Sequence, residues 1–251
     1  MINLKEYVKE GLFDNIDELE GKNGLESGFA ILKQDIIDWI TNNTKSHVYK
    51  NGFTFDLHTT PITVNYDDNI EFKDHITSLT NEIFQWGKVS RSFSCTHCKS
   101  LETLKGAPRE VGGYFDCGYC DLLKTLEGAP KKVGDYFSCI YCMSLASLEG
   151  GPEEVGNDFI CVHCKSLKSL EGAPEKVGRD FDCSYCKSLK SLEGSPKNIK
   201  GYFDCSYCKS LKTLKGAPKD VGEWFGCTDC GEQFTEDYVK IVSNVKEKIY
   251  C

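Results

Sequence analysis

No run of about 18 apolar residues occurs in the 251-residue chain, which excludes a membrane-spanning helix as its working element. The first residues, with Lys5, Glu6 and Glu10, lack an apolar stretch of the secretory kind, so a cytoplasmic address and no membrane partner are expected. Basic charge is in deficit: 30 Lys and Arg face 38 Asp and Glu, for a net charge of −8. A chain so acidic has no stripe with which to hold phosphates, so no nucleic-acid partner is expected. Phosphate-loop, nucleophile-elbow and H-E-x-x-H motifs are missing. The carboxylates recur at fixed intervals instead of converging, and no histidine accompanies every cysteine pair as a base would have to. These absences predict a non-enzymatic protein with no catalytic residue and no cofactor.

What the chain has in quantity is cysteine, and it is ordered. From Phe93 to Cys230 the unit F-x-C-x-x-C-x-S-L-x-x-L-x-G-A-P-x-x-V-G recurs every 22 residues without insertion. The first cysteines of the pairs are Cys95, Cys117, Cys139, Cys161, Cys183, Cys205 and Cys227; each second cysteine lies three residues on, from Cys98 to Cys230. Such a period marks stacked repeats, because one unit cannot bury its apolar face alone. In the unit that starts at Phe181, Phe181 and Cys183 alternate with Asp182 and Ser184, the pattern of a strand with one buried face. Leu189 and Leu192 follow at an interval of three, and Gly194, Ser195 and Pro196 turn the chain. The expected fold is a mainly β repeat solenoid, with one short parallel strand per 22-residue coil.

Around the solenoid at 91–233 the chain divides into a helical segment at 1–45, a β-cap at 46–90 and a C-terminal capping helix at 234–251. Leu4, Tyr7, Val8 and Leu12 are at helical spacing, 14–24 reads as a linker, and a second helix is predicted over 25–42 with Phe29, Leu32, Ile36 and Ile40 on one face. Asn51-Gly52 predicts a hairpin between 47–50 and 53–57, and further strands are expected at 62–66 and 70–72. Tyr238, Ile241, Val242, Val245 and Ile249 read as one face of a helix that shields the last coil, since an open solenoid needs a cap.

The repeat resembles the leucine-rich-repeat family: Phe181 and Cys183 map onto its paired strand leucines and Cys186 onto its N/C ladder position. The likeness covers more than half the chain. Leu189 stands three residues after Cys186 where the family has two, and Gly178, beside Val177, replaces the leucine before the strand. The returning side is therefore expected to be extended or a tight turn. The G-A-P and V-G punctuation and the lead-in Phe84, Trp86, Gly87, Lys88 and Val89 are similar to leucine-rich-repeat-like reading frames of tailed phages. That resemblance implies a phage-encoded protein, in host cytoplasm or in a virion.

The cysteines admit three readings. Cys95, Cys98, Cys117 and Cys120 give C-x2-C-x18-C-x2-C, the spacing of a zinc site. Zinc takes pairs two at a time, however, and seven pairs in an unbroken 22-residue period show no alternation. The second reading is packing: the first cysteine a small strand residue, the second a ladder residue whose thiol meets backbone carbonyls. Oxidation across coils is the third, because equivalent residues of adjacent coils lie about 4.8 Å apart. Without an export signal, reduced thiols are expected.

With Phe and Cys inward, the intervening residues form outer columns. His97, Tyr119, Tyr141, His163, Tyr185, Tyr207 and Asp229 precede the second cysteines; Asp116, Asp182 and Asp204 lie between Phe and the first cysteine; Tyr114, Tyr136, Tyr202 and Trp224 precede Phe. Rigid aromatics flanked by acids are the composition of a protein-recognition surface, and a protein partner is expected on this face. Cross-strand stacking that serves the sheet alone is the alternative. The Lys column at Lys99, Lys165, Lys187 and Lys209 reads as a solvated rim.

Overall fold

The structure is a computed structural model and describes residues 23–57, 59 and 61–251. It is a parallel β-solenoid. Each repeat contributes two strands of two residues, such as Phe115–Asp116 and Lys132–Val133. Partners across the ladder are 22 residues apart, as in Phe93↔Phe115 and Val111↔Val133, so equivalent positions of the repeat stack on one another.

The Phe strands join a nine-stranded sheet that runs from Ile70–Glu71 to Ile249–Tyr250. The Val strands form the second side, as a seven-stranded sheet followed by a three-stranded one. The third side carries the leucines and no strand. There the coils are linked by scattered backbone bonds, such as Ala146 N–H to the Lys124 carbonyl at 2.9 Å and Leu126 N–H to the Glu149 carbonyl at 3.0 Å. This strandless side fits the extended or tightly turned return expected from the shifted leucine.

Phe93, Phe115, Phe137, Phe159, Phe181, Phe203 and Phe225 are fully buried in one column, with ring centroids 5.2 to 5.6 Å apart. The paired leucines and the inner cysteines fill the rest of the interior. Each such phenylalanine or leucine contributes about 1.5–3 kcal/mol of burial, and the sum is spread along the axis with no single centre. Two glycines show why the turn residues are what they are. Gly128 has φ +94°, and a Cβ there would collide with the Lys105 backbone of the previous coil. At Gly178, a Cβ would run into the Gly156 carbonyl oxygen, so no leucine fits where the leucine-rich pattern has one.

At the N-terminal end helix α1 (Asn23–Asn43) covers the first coil, as predicted for 25–42. Leu32, Ile36 and Ile40 are buried, and Trp39 meets the edges of Phe72 and Phe84 at 6.3 and 5.4 Å. Thr44 then bridges Phe72, and Lys45 N–H donates to the Glu71 carbonyl at 2.6 Å, which occupies the first strand's edge. No described helix is long and apolar enough to cross a membrane. The expected helix over 4–12 and most of the linker lie outside the described residues; the last linker positions, Asn23 and Gly24, belong to α1.

The hairpin at Asn51-Gly52 is not formed. Lys50–Gly52 is a short 3-10 turn, and β1 (Phe53–Asp56) pairs antiparallel with β2 (Ile62–Tyr66) instead. β2 offers an inward face of Ile62, Val64 and Tyr66, whereas Tyr49 and Lys50 lie exposed with nothing to bury. β2 also pairs in parallel with β4 (Phe84–Val89), Ile62 opposite Phe84, and β3 (Ile70–Glu71) pairs with Phe93–Ser94. The segment 46–90 is thus both a cap and a first coil in which the cysteine motif is absent.

The C-terminal helix is shorter than expected. α2 (Glu236–Val242) starts at an N-cap, Thr235, whose hydroxyl accepts from Tyr238 N–H at 3.2 Å, and it ends before Ser243. Val245 and Ile249 belong to strands that pair with Val221 and Phe225. These β-branched residues extend the existing ladders, and strand bonds such as Lys246 N–H to the Val221 carbonyl at 3.0 Å hold them there. One more coil, containing α2, follows the seventh repeat.

Candidate functional site

The outer aromatic column stands on a turn and not on the strand face expected for it. The Phe strand ends two residues before the first turn position, and His97, Tyr119, Tyr141, His163, Tyr185, Tyr207 and Asp229 all lie in that turn with φ between 55 and 62°. In the first cysteine-bearing coil Cys98 N–H donates to the Cys95 carbonyl at 3.2 Å and closes a four-residue turn with His97 third. Positive φ at that place makes glycine the usual occupant. An L-residue with a Cβ pays about 1–2 kcal/mol to stand there, and seven consecutive coils hold a side chain in it.

Three features hold the turn. The aromatic N–H donates to the next coil, as in Tyr119 N–H to the Ile140 carbonyl at 2.8 Å. The rings stack: His97–Tyr119 4.5 Å, Tyr119–Tyr141 4.9 Å, Tyr141–His163 4.3 Å, His163–Tyr185 4.4 Å and Tyr185–Tyr207 4.4 Å, with planes within 22°. Stacking stabilises each pair by about 0.5–1.5 kcal/mol and offsets the backbone cost. The third feature is the acid column. Asp116, Asp182 and Asp204 accept backbone N–H bonds from Gly118, Ser184 and Ser206 at 2.8, 2.9 and 2.8 Å. Each carboxylate braces the residue just before a left-handed tyrosine.

Those aspartates were expected to offer charge to a partner, but they are only partly exposed and bonded within the fold. Burial raises the Asp116 carboxyl and pushes that of Asp182 up to about 6, with Asp204 and Asp180 adding repulsion to Asp182. The second aromatic column is broken in two. Tyr114 stacks on Tyr136 at 4.8 Å and Tyr202 on Trp224 at 4.4 Å, while Asp158 and Asp180 occupy the coils between. Asp180 is buried; its carboxylate accepts from Tyr202 N–H at 2.9 Å and pairs with Arg179 at 3.5 Å. Asp180 is not among the residues predicted for the site, although its place in an aromatic column is a signal.

The continuous element is therefore the six-ring turn ladder. Its rings face one another, so it shows solvent their edges, with a row of tyrosine hydroxyls headed by the His97 imidazole and interrupted by that of His163. Burial between Tyr141 and Tyr185, with Lys165 and Lys187 adding repulsion, holds His163 below the ordinary histidine range. The last rung, Asp229, pairs with Lys209 at 2.5 Å, so the Lys column contributes to the ladder's end as well as to its rim.

The zinc quartet does not converge. Cys120 Sγ donates to the Cys95 carbonyl at 3.2 Å, Cys98 Sγ to the Lys73 carbonyl at 3.4 Å and Cys117 Sγ to the Ser138 carbonyl at 3.4 Å. Among the described residues no group of three or more His, Cys, Asp or Glu could hold a metal ion. Burial pushes the Cys98 thiol up to about 12 and that of Cys183 well above the thiol range, which keeps both protonated at neutral pH. All the cysteines are free thiols.

Cys251 lies outside the 22-residue repeat. Ile249, Tyr250 and Cys251 repeat the spacing of Phe225, Gly226 and Cys227, and the ladder puts Cys251 beside Cys227. The interval is 24 residues where the repeat has 22, so a fixed period misses it; the I-Y-C wording was the available signal.

Against protein-family models, curated proteins and solved structures, the chain finds no match. What the site can do follows from its geometry.

Proposed function

We propose that the protein is a non-enzymatic scaffold that binds a protein partner along the turn ladder from His97 to Tyr207, with Tyr114, Tyr136, Tyr202 and Trp224 flanking it. One observation carries the reading: six successive coils hold an aromatic residue at positive φ, where glycine would be less strained and would serve the solenoid alone. Strain kept in register along a surface, on residue types favoured at interfaces, supports recognition. The scaffold side rests on the cysteines and carboxylates, which are bonded into the fold and do not converge on a reacting centre.

The proposal extends to setting: a phage-encoded protein, free in host cytoplasm or associated with a virion, on the likeness of its repeat punctuation to leucine-rich-repeat-like phage reading frames. Tyr119, Tyr185 and Tyr207 changed together to Asn test the ladder, since Asn tolerates positive φ and leaves the turn intact. Crosslinking in infected-cell or virion extracts should capture a discrete partner with the parent and lose it with the triple variant, at unchanged circular dichroism. Equal capture by both proteins would sink this face as the binding site.

A further inference from the structure

The fifteen cysteines are not equivalent. Thirteen are buried, Cys230 is partly covered, and Cys251 alone is exposed. The second-column thiols aim at carbonyl oxygens one coil back, at 3.1 to 3.4 Å in every coil from Cys98 to Cys230. In the first column, Cys117 and Cys205 aim at the carbonyls of Ser138 and Gly226. Cys227 and Cys251 have their sulfurs 3.0 Å apart, and among the cysteine pairs that meet across coils, such as Cys95–Cys120, Cys117–Cys142 and Cys139–Cys164, this is the pair with an exposed member.

The fold sets this up. Phe225 and Gly226 pair in parallel with Ile249 and Tyr250, and Cys227 N–H donates to the Tyr250 carbonyl at 2.7 Å, which makes Cys251 the residue opposite Cys227. Neighbouring parallel strands lie about 4.8 Å apart, within the Cα separation a disulfide spans, and the sulfurs need to close by about 1 Å. Cys251 directly follows the edge strand Ile249–Tyr250 and is exposed, so a small oxidant reaches it without the coil opening.

We propose that Cys227 and Cys251 form a disulfide with a low-molecular-weight disulfide as oxidant, a covalent clasp that fastens the last coil to the seventh repeat. The Cys251 thiol loses its proton and attacks one sulfur of oxidised glutathione; that S–S bond breaks and one glutathione thiol leaves. Cys227, deprotonated, then attacks the Cys251 sulfur, and the second glutathione departs. Two protein thiols are oxidised and one small disulfide is reduced to two thiols. Burial raises the Cys227 thiol, so the second step quickens with rising pH. The clasp encloses α2 and the strand at Asn244–Val245, and ties the coil that carries them to the seventh repeat. It is independent of any role of the aromatic ladder.

The full chain is incubated with oxidised glutathione in mildly alkaline buffer, unfolded, alkylated and mapped by peptide mass spectrometry. The expected product is two hydrogens lighter, has two of its fifteen thiols protected, and yields one crosslinked peptide joining Cys227 to Cys251. Cys251→Ser should leave every remaining thiol alkylated. Hydrogen exchange supplies a second readout: the Phe225 and Cys227 amides, which donate to the Lys248 and Tyr250 carbonyls, should slow roughly tenfold on oxidation. Alkylation of all fifteen thiols, a glutathione adduct that persists on Cys251, a Cys227–Cys230 bond or a Cys251-linked dimer would each overturn the proposal.

Discussion

The Cys164 thiol donates to the Cys139 carbonyl oxygen 3.1 Å away, one coil earlier. This bond makes the second cysteine more than a small apolar residue: it ties the turn of one coil to the strand end of the coil before it. Cys164→Ala removes both the donor and the volume and should cost about 1–2 kcal/mol in urea unfolding. Cys164→Ser, which keeps a donor, should cost less, and Cys164→Leu, which overfills a fully buried site, more. A serine variant less stable than the alanine variant would show that the bond contributes nothing.

At Tyr141, glycine should be better tolerated than alanine. Tyr141 has φ 56° and stacks on Tyr119 and His163 at 4.9 and 4.3 Å. Both substitutions lose the stacking, but only glycine relieves the backbone. Tyr141→Gly should therefore unfold about 1 kcal/mol later than Tyr141→Ala, against the usual order in regular structure. Equal stabilities would mean that the turn is unstrained.

Asp182 predicts a pH dependence of definite sign. Its carboxyl is raised to about 6, above the unfolded value of about 3.9. Such a group contributes stability that is fully present below the unfolded value and lost as pH rises through about 6. Asp182→Asn keeps an acceptor for the Ser184 N–H and removes the charge beside Asp180 and Asp204. The variant should be more stable than the parent by on the order of 1 kcal/mol at neutral pH, with the gap closing near pH 4. Denaturant midpoints across that range check it; a gap that does not change with pH would contradict the assignment.

His163 should titrate below the ordinary histidine value in ring-proton NMR. Burial is the main cause, and the charges of Lys165 and Lys187 add to it. Changing both lysines to Gln should raise the midpoint without fully restoring it, because the two flanking tyrosine rings remain. A midpoint at or above the ordinary value in the parent would mean that the rings do not enclose the imidazole.

The repeat was legible because its spacing and its chemistry agree: Phe115 and Phe137 are 22 residues apart and therefore stack. The ends were not. Segment 46–90 follows the solenoid with β2 and β4 but carries no cysteine, so only strand pairing reveals it as a coil. Val245 and Ile249 suit a helical face as well as a ladder, and the open edge of Phe225–Gly226, which offers strand bonds, settles the choice.

The amino-acid sequence by itself determined the solenoid and the inward columns of Phe, Cys and Leu. A strict period leaves a chain only one way to bury every coil alike. Tertiary structure decided which way the other residues face. Tyr119 and its ladder mates are in the turn at positive φ, Asp182 is bonded beneath them, and Cys251 stands beside Cys227. None of these follows from spacing. A left-handed residue is set by bonds to the next coil, a carboxylate's burial by what lies over it, and a 24-residue return by the length of α2.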